Sequence, residues 1–196
     1  MYKIGITGGI GSGKSTVCAL LRERGVAVYD SDTQAKRLMA ESDTLRRQIV
    51  EAFGAECYGD EGLDRQYLAS QVFGNAEALQ RLNAIVHPAV KDDFRAWAER
   101  QQGAYVVLES AILFESGFDK EVDATLAVMA PLEERVRRTM ERDGSDREQV
   151  LSRIAHQMSD DELHARADRT IVNLIRDYLE SDIEQLHKMY CYEAQR

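Results

Sequence analysis

Proline is almost missing from this chain: Pro88 and Pro131 are the only two in 196 residues. Cysteine is scarce as well. Cys18, Cys57 and Cys191 are odd in number, far apart and without metal-type spacing, which argues against a disulfide framework and for free thiols in a reducing compartment. Surplus positive charge is absent, since 34 acidic residues face 25 basic ones for a formal net charge of -9. A general nucleic-acid binder draws on extra lysine and arginine, so that class is disfavoured, though a local cluster of cations still suffices for a small phosphorylated ligand. No apolar stretch approaches a membrane span, and the opening MYKIGITGG has no basic segment followed by a long apolar core. The expectation is a cytoplasmic protein. What remains is ordinary for a globular chain, 44% hydrophobic and 30% charged, and long enough to bury a core without staples. One domain with a small insertion suits this length.

Periodicity gives the organisation. Tyr2 to Thr7 reads as a strand, Gly8 to Gly13 as a glycine-rich loop, and Ser15 to Arg24 as a helix with apolar Val17, Leu20 and Leu21, closed by Gly25. Val26 to Tyr29 is a second strand, which completes a βαβ unit. Ala35, Leu38, Met39, Leu45, Ile49 and Phe53 form a helical face, and Leu63 to Gln102 reads as helices broken at Pro88. Tyr105 to Leu108, Leu126 to Met129 and Thr170 to Val172 are further strands. Pro131 opens a helix, Ser145 with Glu148 and Ser159 with Glu162 fit capping boxes, and Asp177 to Tyr192 is a C-terminal helix. Strands alternating with helices predict a doubly wound α/β fold around a parallel sheet.

The strongest chemical signal is Gly8-Gly9-Ile10-Gly11-Ser12-Gly13-Lys14-Ser15, which matches GxxxxGK[ST] between a strand and a helix. Glycines let the backbone curl so that its N–H groups face phosphate oxygens, and the following helix adds its positive end. Lys14 is placed to reach the β- and γ-phosphates of ATP, and Ser15 to offer its hydroxyl to Mg²⁺. The plainer alternative is a glycine-rich turn that happens to contain Gly-Lys-Ser. Nucleotide binding does not by itself fix the reaction: a small-molecule kinase, a GTPase switch and a non-reacting regulatory relative all use this loop. Neither a DxxG nor an NKxD string occurs, so the GTPase reading lacks its usual partners.

Asp30 and Asp32 follow the second strand. Ligands of such sheets bind at the carboxyl ends of strands, so one of these acids could take the proton of an attacking hydroxyl. Either could instead cap the next helix. Arg135, Arg138 and Arg142 share a helical face, which reads either as a lid over ATP or as a solvated face. Glu109, ending a strand, could position Mg²⁺ through water, hold a substrate group or pair with a cation. His87 beside Pro88 is weak alone.

Taken together, these residues resemble one family, the dephospho-CoA kinases. The run Thr7-Gly8-Gly9-Ile10-Gly11-Ser12-Gly13-Lys14 resembles that family's form of the phosphate loop. Val28-Tyr29-Asp30-Ser31-Asp32 resembles its acidic strand end, and Leu63-Asp64-Arg65 through His87-Pro88 its helical substrate segment. Leu108-Glu109 with Ile112-Leu113-Phe114-Glu115, Arg153 with Gln157, and Ala167-Asp168 with Ile171 and Asn173 extend the likeness over most of the chain. The resemblance implies a P-loop nucleoside-kinase-like fold in one domain over 1–196, with a helical substrate subdomain near 63–102 and a lid near 138–157. It implies phosphorylation of the ribose 3′-hydroxyl of dephospho-CoA by ATP, with Mg²⁺. Gly11, Ser12, Gly13, Lys14, Ser15 and Thr16 would bind ATP, with Asn173 near adenine. Asp32 would be the base, Arg142 a lid residue, and Arg65, His87 and Glu109 would serve the acceptor side. Departures from the family pattern are Ser31 for alanine, Glu109 for aspartate, Ala111 for proline, and Leu174-Ile175 where a glycine is frequent.

Overall fold

A computed structural model describes all residues, Met1–Arg196. In chain order the elements are β1 (Tyr2–Thr7), α1 (Lys14–Glu23), β2 (Ala27–Asp30), α2 (Ser31–Glu41), α3 (Asp43–Phe53), β3 (Tyr58–Gly59), β4 (Gly62–Leu63), α4 (Arg65–Val72) and α5 (Ala76–Glu99). They continue with β5 (Tyr105–Glu109), β6 (Ala124–Met129), α6 (Leu132–Asp143), α7 (Arg147–Ala155), α8 (Asp160–Arg166), β7 (Arg169–Val172) and α9 (Arg176–Glu193). The chain divides into two compact units, Met1–Tyr29 with Ala98–Arg196, and Asp30–Trp97.

The first unit is built on a sheet of order β2-β5-β1-β6-β7. β1 lies parallel to β5, with Ile6 opposite Glu109, and parallel to β6, with Thr7 opposite Ala127. Parallel pairing brings the carboxyl ends of these strands to one edge, so Thr7 and Glu109 come together there. Ile4 to Thr7 is buried residue by residue, as expected for a strand covered on both faces. On one face, Ile4, Ile6, Val107, Leu126 and Val128 pack against Val17, Leu20 and Leu21 of α1 and Leu179 and Ile183 of α9. Each such side chain contributes about 1.5–3 kcal/mol by leaving water. The other face packs Ala127 against Phe114 and Leu163 of α8. Gly5 also points there, where a Cβ would stand 2.9 Å from Leu113. The doubly wound architecture predicted from periodicity is the one observed.

The second unit has its own core of Ile49, Cys57, Tyr58 and Leu68, joined by Met39, Phe53, Leu63, Leu82 and Ile85. The Tyr58 hydroxyl donates to the Met39 carbonyl at 2.7 Å. The apolar face predicted from Ala35 to Phe53 is divided at Ser42, whose side chain accepts from Leu45 N–H and starts α3.

Two local expectations are corrected. Pro88 does not break the helices; α5 runs through it for 24 residues. One backbone donor is lost there, but Val86, Val90, Phe94 and Ala98 are buried at four-residue spacing along the same helix, and that burial outweighs the loss. The helix after Gly144 is capped by Asp146, which accepts from Gln149 N–H at 2.8 Å, not by Ser145. The Ser159–Glu162 capping box forms as predicted.

Candidate active site

The phosphate loop connects the carboxyl end of β1 to α1. Gly11 and Gly13 have φ of +75° and +91°, a region that disfavours any side chain. Both also lie against other elements: a Cβ on Gly11 would stand 2.3 Å from the Arg135 carbonyl oxygen, and one on Gly13 would stand 1.8 Å from Asn173 Nδ2. The loop is therefore glycine for shape and for clearance. No backbone carbonyl accepts the N–H groups of Gly11, Gly13 and Ser15, which leaves donors at the positive end of α1, an arrangement suited to phosphate. Lys14 Nζ donates to the carbonyls of Gly8 at 2.6 Å and Gly9 at 3.3 Å, so its ammonium sits over the loop. The Ser15 side is exposed.

Three distant side chains hold the loop from outside. Gln157 Oε1 accepts the Ile10 N–H at 2.8 Å, and Arg135 Nε donates to the Ile10 carbonyl at 3.0 Å. Asn173 Nδ2 donates to the Ser12 carbonyl at 2.9 Å. Arg135 is only 3% exposed and is balanced by Asp160 at 2.7 Å. Arg138 follows one turn later, with Nε on Glu134 at 2.8 Å and its buried Nη1 without a partner. The hydroxyls of Thr7 and Ser12 are likewise buried and unpartnered.

The arginine stripe thus separates into three roles. Arg135 is buried beneath the loop, Arg138 stands beside it, and only Arg142 is exposed near the tip of the 138–157 segment. Arg142 donates to Asp143 at 2.6 Å, and Arg153 donates to the same carboxylate at 2.9 Å. These two guanidinium groups hold the Asp143 carboxyl well below the usual carboxylate range. At the end of β5, Glu109 lies beside Cys18, and burial together with that negative neighbour pushes the thiol far up. Cys18 therefore stays protonated.

Mg²⁺ fits the donors present. No group of three histidine, cysteine or acidic residues could cage a metal, and this ion is commonly held by one or two protein oxygens with substrate phosphates and water. The Ser15 hydroxyl next to the loop, with Glu109 at the neighbouring strand end, is that kind of sparse oxygen set.

In the second unit, Asp30 is a cap: it accepts from Thr33 N–H at 3.0 Å and from the Thr33 hydroxyl at 2.9 Å. Asp32, in the first turn of α2, is exposed and takes no hydrogen bond. The choice left open between these acids is resolved for Asp30. Arg65 is exposed at the first position of α4, which Asp64 caps. His87 is half-buried in α5, and burial with the nearby Lys91 lowers its pKa. A groove of about 500 Å³ lined by Arg46, Arg47, Val50, Glu51, Ala55 and Tyr58 contains none of the nominated residues. Sequence reasoning left Arg135 open between a lid and a solvated face, carried Gln157 only in the family resemblance and as the far bound of the lid, and gave Asp160 no role. Their bonds span long stretches of chain, and no local pattern announces them.

The family model of dephospho-CoA kinase matches residues 2–177. A dephospho-CoA kinase of Salinibacter ruber is 50% identical over 177 residues, covering 88% of this chain and 89% of that one. A crystal structure from Thermus thermophilus is similar at a TM-score of 0.80 and 42% identity, covering 98% of this chain and 97% of that one. The dephospho-CoA kinase structure of Campylobacter jejuni shares the fold at a TM-score of 0.70 and 21% identity, over 97% of this chain and 98% of that one.

Proposed function

This chain belongs to the dephospho-CoA kinase family, and on that premise we propose that it binds Mg²⁺ and ATP at Gly11–Thr16 and dephospho-CoA as acceptor. It transfers the γ-phosphoryl group of ATP to the ribose 3′-hydroxyl, giving CoA and ADP in the last step of coenzyme A biosynthesis. The observation that carries the ATP side is the phosphate loop, with its free donors and with Lys14 above it.

The chemistry asks little covalent work of the protein; positioning and charge neutralisation dominate. Lys14 exchanges its two loop carbonyls for phosphate oxygens. Ser15 would hold Mg²⁺ together with the nucleotide, and the ion would supply positive charge where the phosphoryl group is transferred. Asp32 accepts the proton of the 3′-hydroxyl, a role its exposed and unengaged carboxylate leaves open to it. Arg142 leaves Asp143 for the transferring phosphate, where an arginine stabilises developing charge. Glu109, beside Cys18 at the end of β5, serves the acceptor side or a metal-bound water. Asn173 holds the loop through Ser12 and carries Leu174 and Ile175, both about half exposed, to the adenine. Arg65 and His87 serve the CoA substrate. A cytoplasmic location is supported by the three free cysteines and by the absence of any helix long and apolar enough to cross a membrane.

The test is purified protein with Mg²⁺, ATP and dephospho-CoA, with adenosine and AMP as parallel acceptors, followed by mass spectrometry. Phosphate added to dephospho-CoA, with little on the others, is the expected result. ATP binding without that product contradicts the acceptor assignment and leaves the phosphate loop standing.

A further inference from the structure

The Ile10 peptide is fastened at both ends by one short stretch of chain. Gln157 takes its N–H directly, at 2.8 Å. Asp160, three residues later, fixes Arg135 at 2.7 Å, and Arg135 in turn holds the Ile10 carbonyl at 3.0 Å. Gly9 and Gly11 leave room for this fastening, since a Cβ on Gly9 would stand 2.0 Å from Arg135 Nη2. Gln157 follows α7 and Asp160 opens α8, so the stretch lies where the segment carrying Arg142 and Arg153 rejoins the sheet.

We infer that Gln157 is a positioning residue for ATP: it fixes the Ile10 peptide so that the phosphate loop stays in its binding shape, and it ties that shape to the end of the arginine-bearing segment. The inference rests on the reading of Gly8–Ser15 as the ATP site. A carbonyl committed to Arg135 cannot turn toward phosphate oxygens, where it would repel, and an N–H committed to Gln157 fixes the backbone that leads into the donors of Gly11, Gly13 and Ser15. Gln157 touches no phosphate in this role. A hydrogen bond of this kind contributes about 0.5–1.5 kcal/mol. Losing it lowers the population of the competent loop, and apparent affinity falls by the same fraction.

The experiment replaces Gln157 with methionine, similar in length but without the carbonyl acceptor. Gln157 is only partly buried, so folding should survive. Calorimetric titration with Mg·ATP should show Kd raised about three- to tenfold, the range that bond energy gives. KM for ATP should rise in step, while KM for dephospho-CoA and kcat at saturating ATP stay near wild type and Tm falls by no more than about 2–4 °C, the share of a single lost bond. The Ile10 amide should exchange slowly in the wild type, where Gln157 accepts it, and faster in Gln157→Met. Unchanged ATP affinity overturns the inference. So does a Tm loss well beyond that of one bond together with losses in kcat and both KM values, which marks a merely structural residue, and so does an Ile10 amide equally exchangeable in both proteins. Failure of the wild type to bind ATP at all would instead overturn the reading of the loop.

Discussion

In the first unit, the Ile10 peptide is held by side chains 125 and 147 residues away. In the second, Asp32 and Arg65 stand exposed at the starts of α2 and α4 with nothing fixing them. The same chain thus carries one set of functional groups locked before any ligand arrives and another left unengaged. Phosphate binding needs several backbone donors aimed at one point, and only a braced loop supplies that. In the roles proposed for them, Asp32 would accept a proton and Arg65 would meet an incoming substrate, and both are free of partners that would first have to be displaced. On that proposal the difference in bracing follows the difference in task.

Arg142 tests that contrast most severely, because it belongs to the first unit yet is exposed and held only by its neighbour Asp143. Arg142→Ala should lower kcat by about 10³ or more with little change in ATP affinity, as for arginines that act on the transferring phosphate. A twofold change measured by steady-state kinetics would return the residue to the solvated face.

His87 sharpens the picture of the second unit. Its folded pKa lies below the ordinary 6.5 because burial and Lys91 disfavour the charged ring. The unfolded state therefore binds the proton first, and stability present above pH 6.5 is lost as pH falls toward the depressed folded value. His87→Gln should flatten that decline between about pH 7.5 and pH 5.5 in urea melts. Parallel curves for the two proteins would contradict the assignment.

The smallest effect concerns the brace. Ser159 caps α8 just before Asp160, the partner of Arg135. Ser159→Ala should cost about 1 kcal/mol and about 2–4 °C in Tm, read by thermal melting, with kcat preserved. A loss of kcat without a loss of Tm would mean that the cap serves chemistry directly.

Much of this was legible from local pattern. The strand–loop–helix entry, the glycines at Gly11 and Gly13 and the parallel sheet follow from residue types at short spacing. The failures have tertiary causes. Pro88 reads as a break because one missing donor is visible in sequence, whereas the burial of Val86, Val90, Phe94 and Ala98 is not. Ser145 and Asp146 can both cap a helix, and only the folded path decides that Asp146 does. Arg135, Arg138 and Arg142 look equivalent on a helical face, yet the phosphate loop rests on the first alone. Gln157 carries no residue-type signal for a bond to Ile10. The Cys18–Glu109 pair joins residues from α1 and β5 that nothing in the spacing connects.

The central claim is that the braced loop binds ATP while an unengaged acid performs the proton transfer. The most direct measurement is the Mg·ATP dissociation constant of Asp32→Asn beside its single-turnover rate with dephospho-CoA. The account predicts an affinity near that of the wild type and a rate lower by about 10²–10⁴. Affinity that weakens in step with the rate would contradict it and assign Asp32 to metal or nucleotide binding instead.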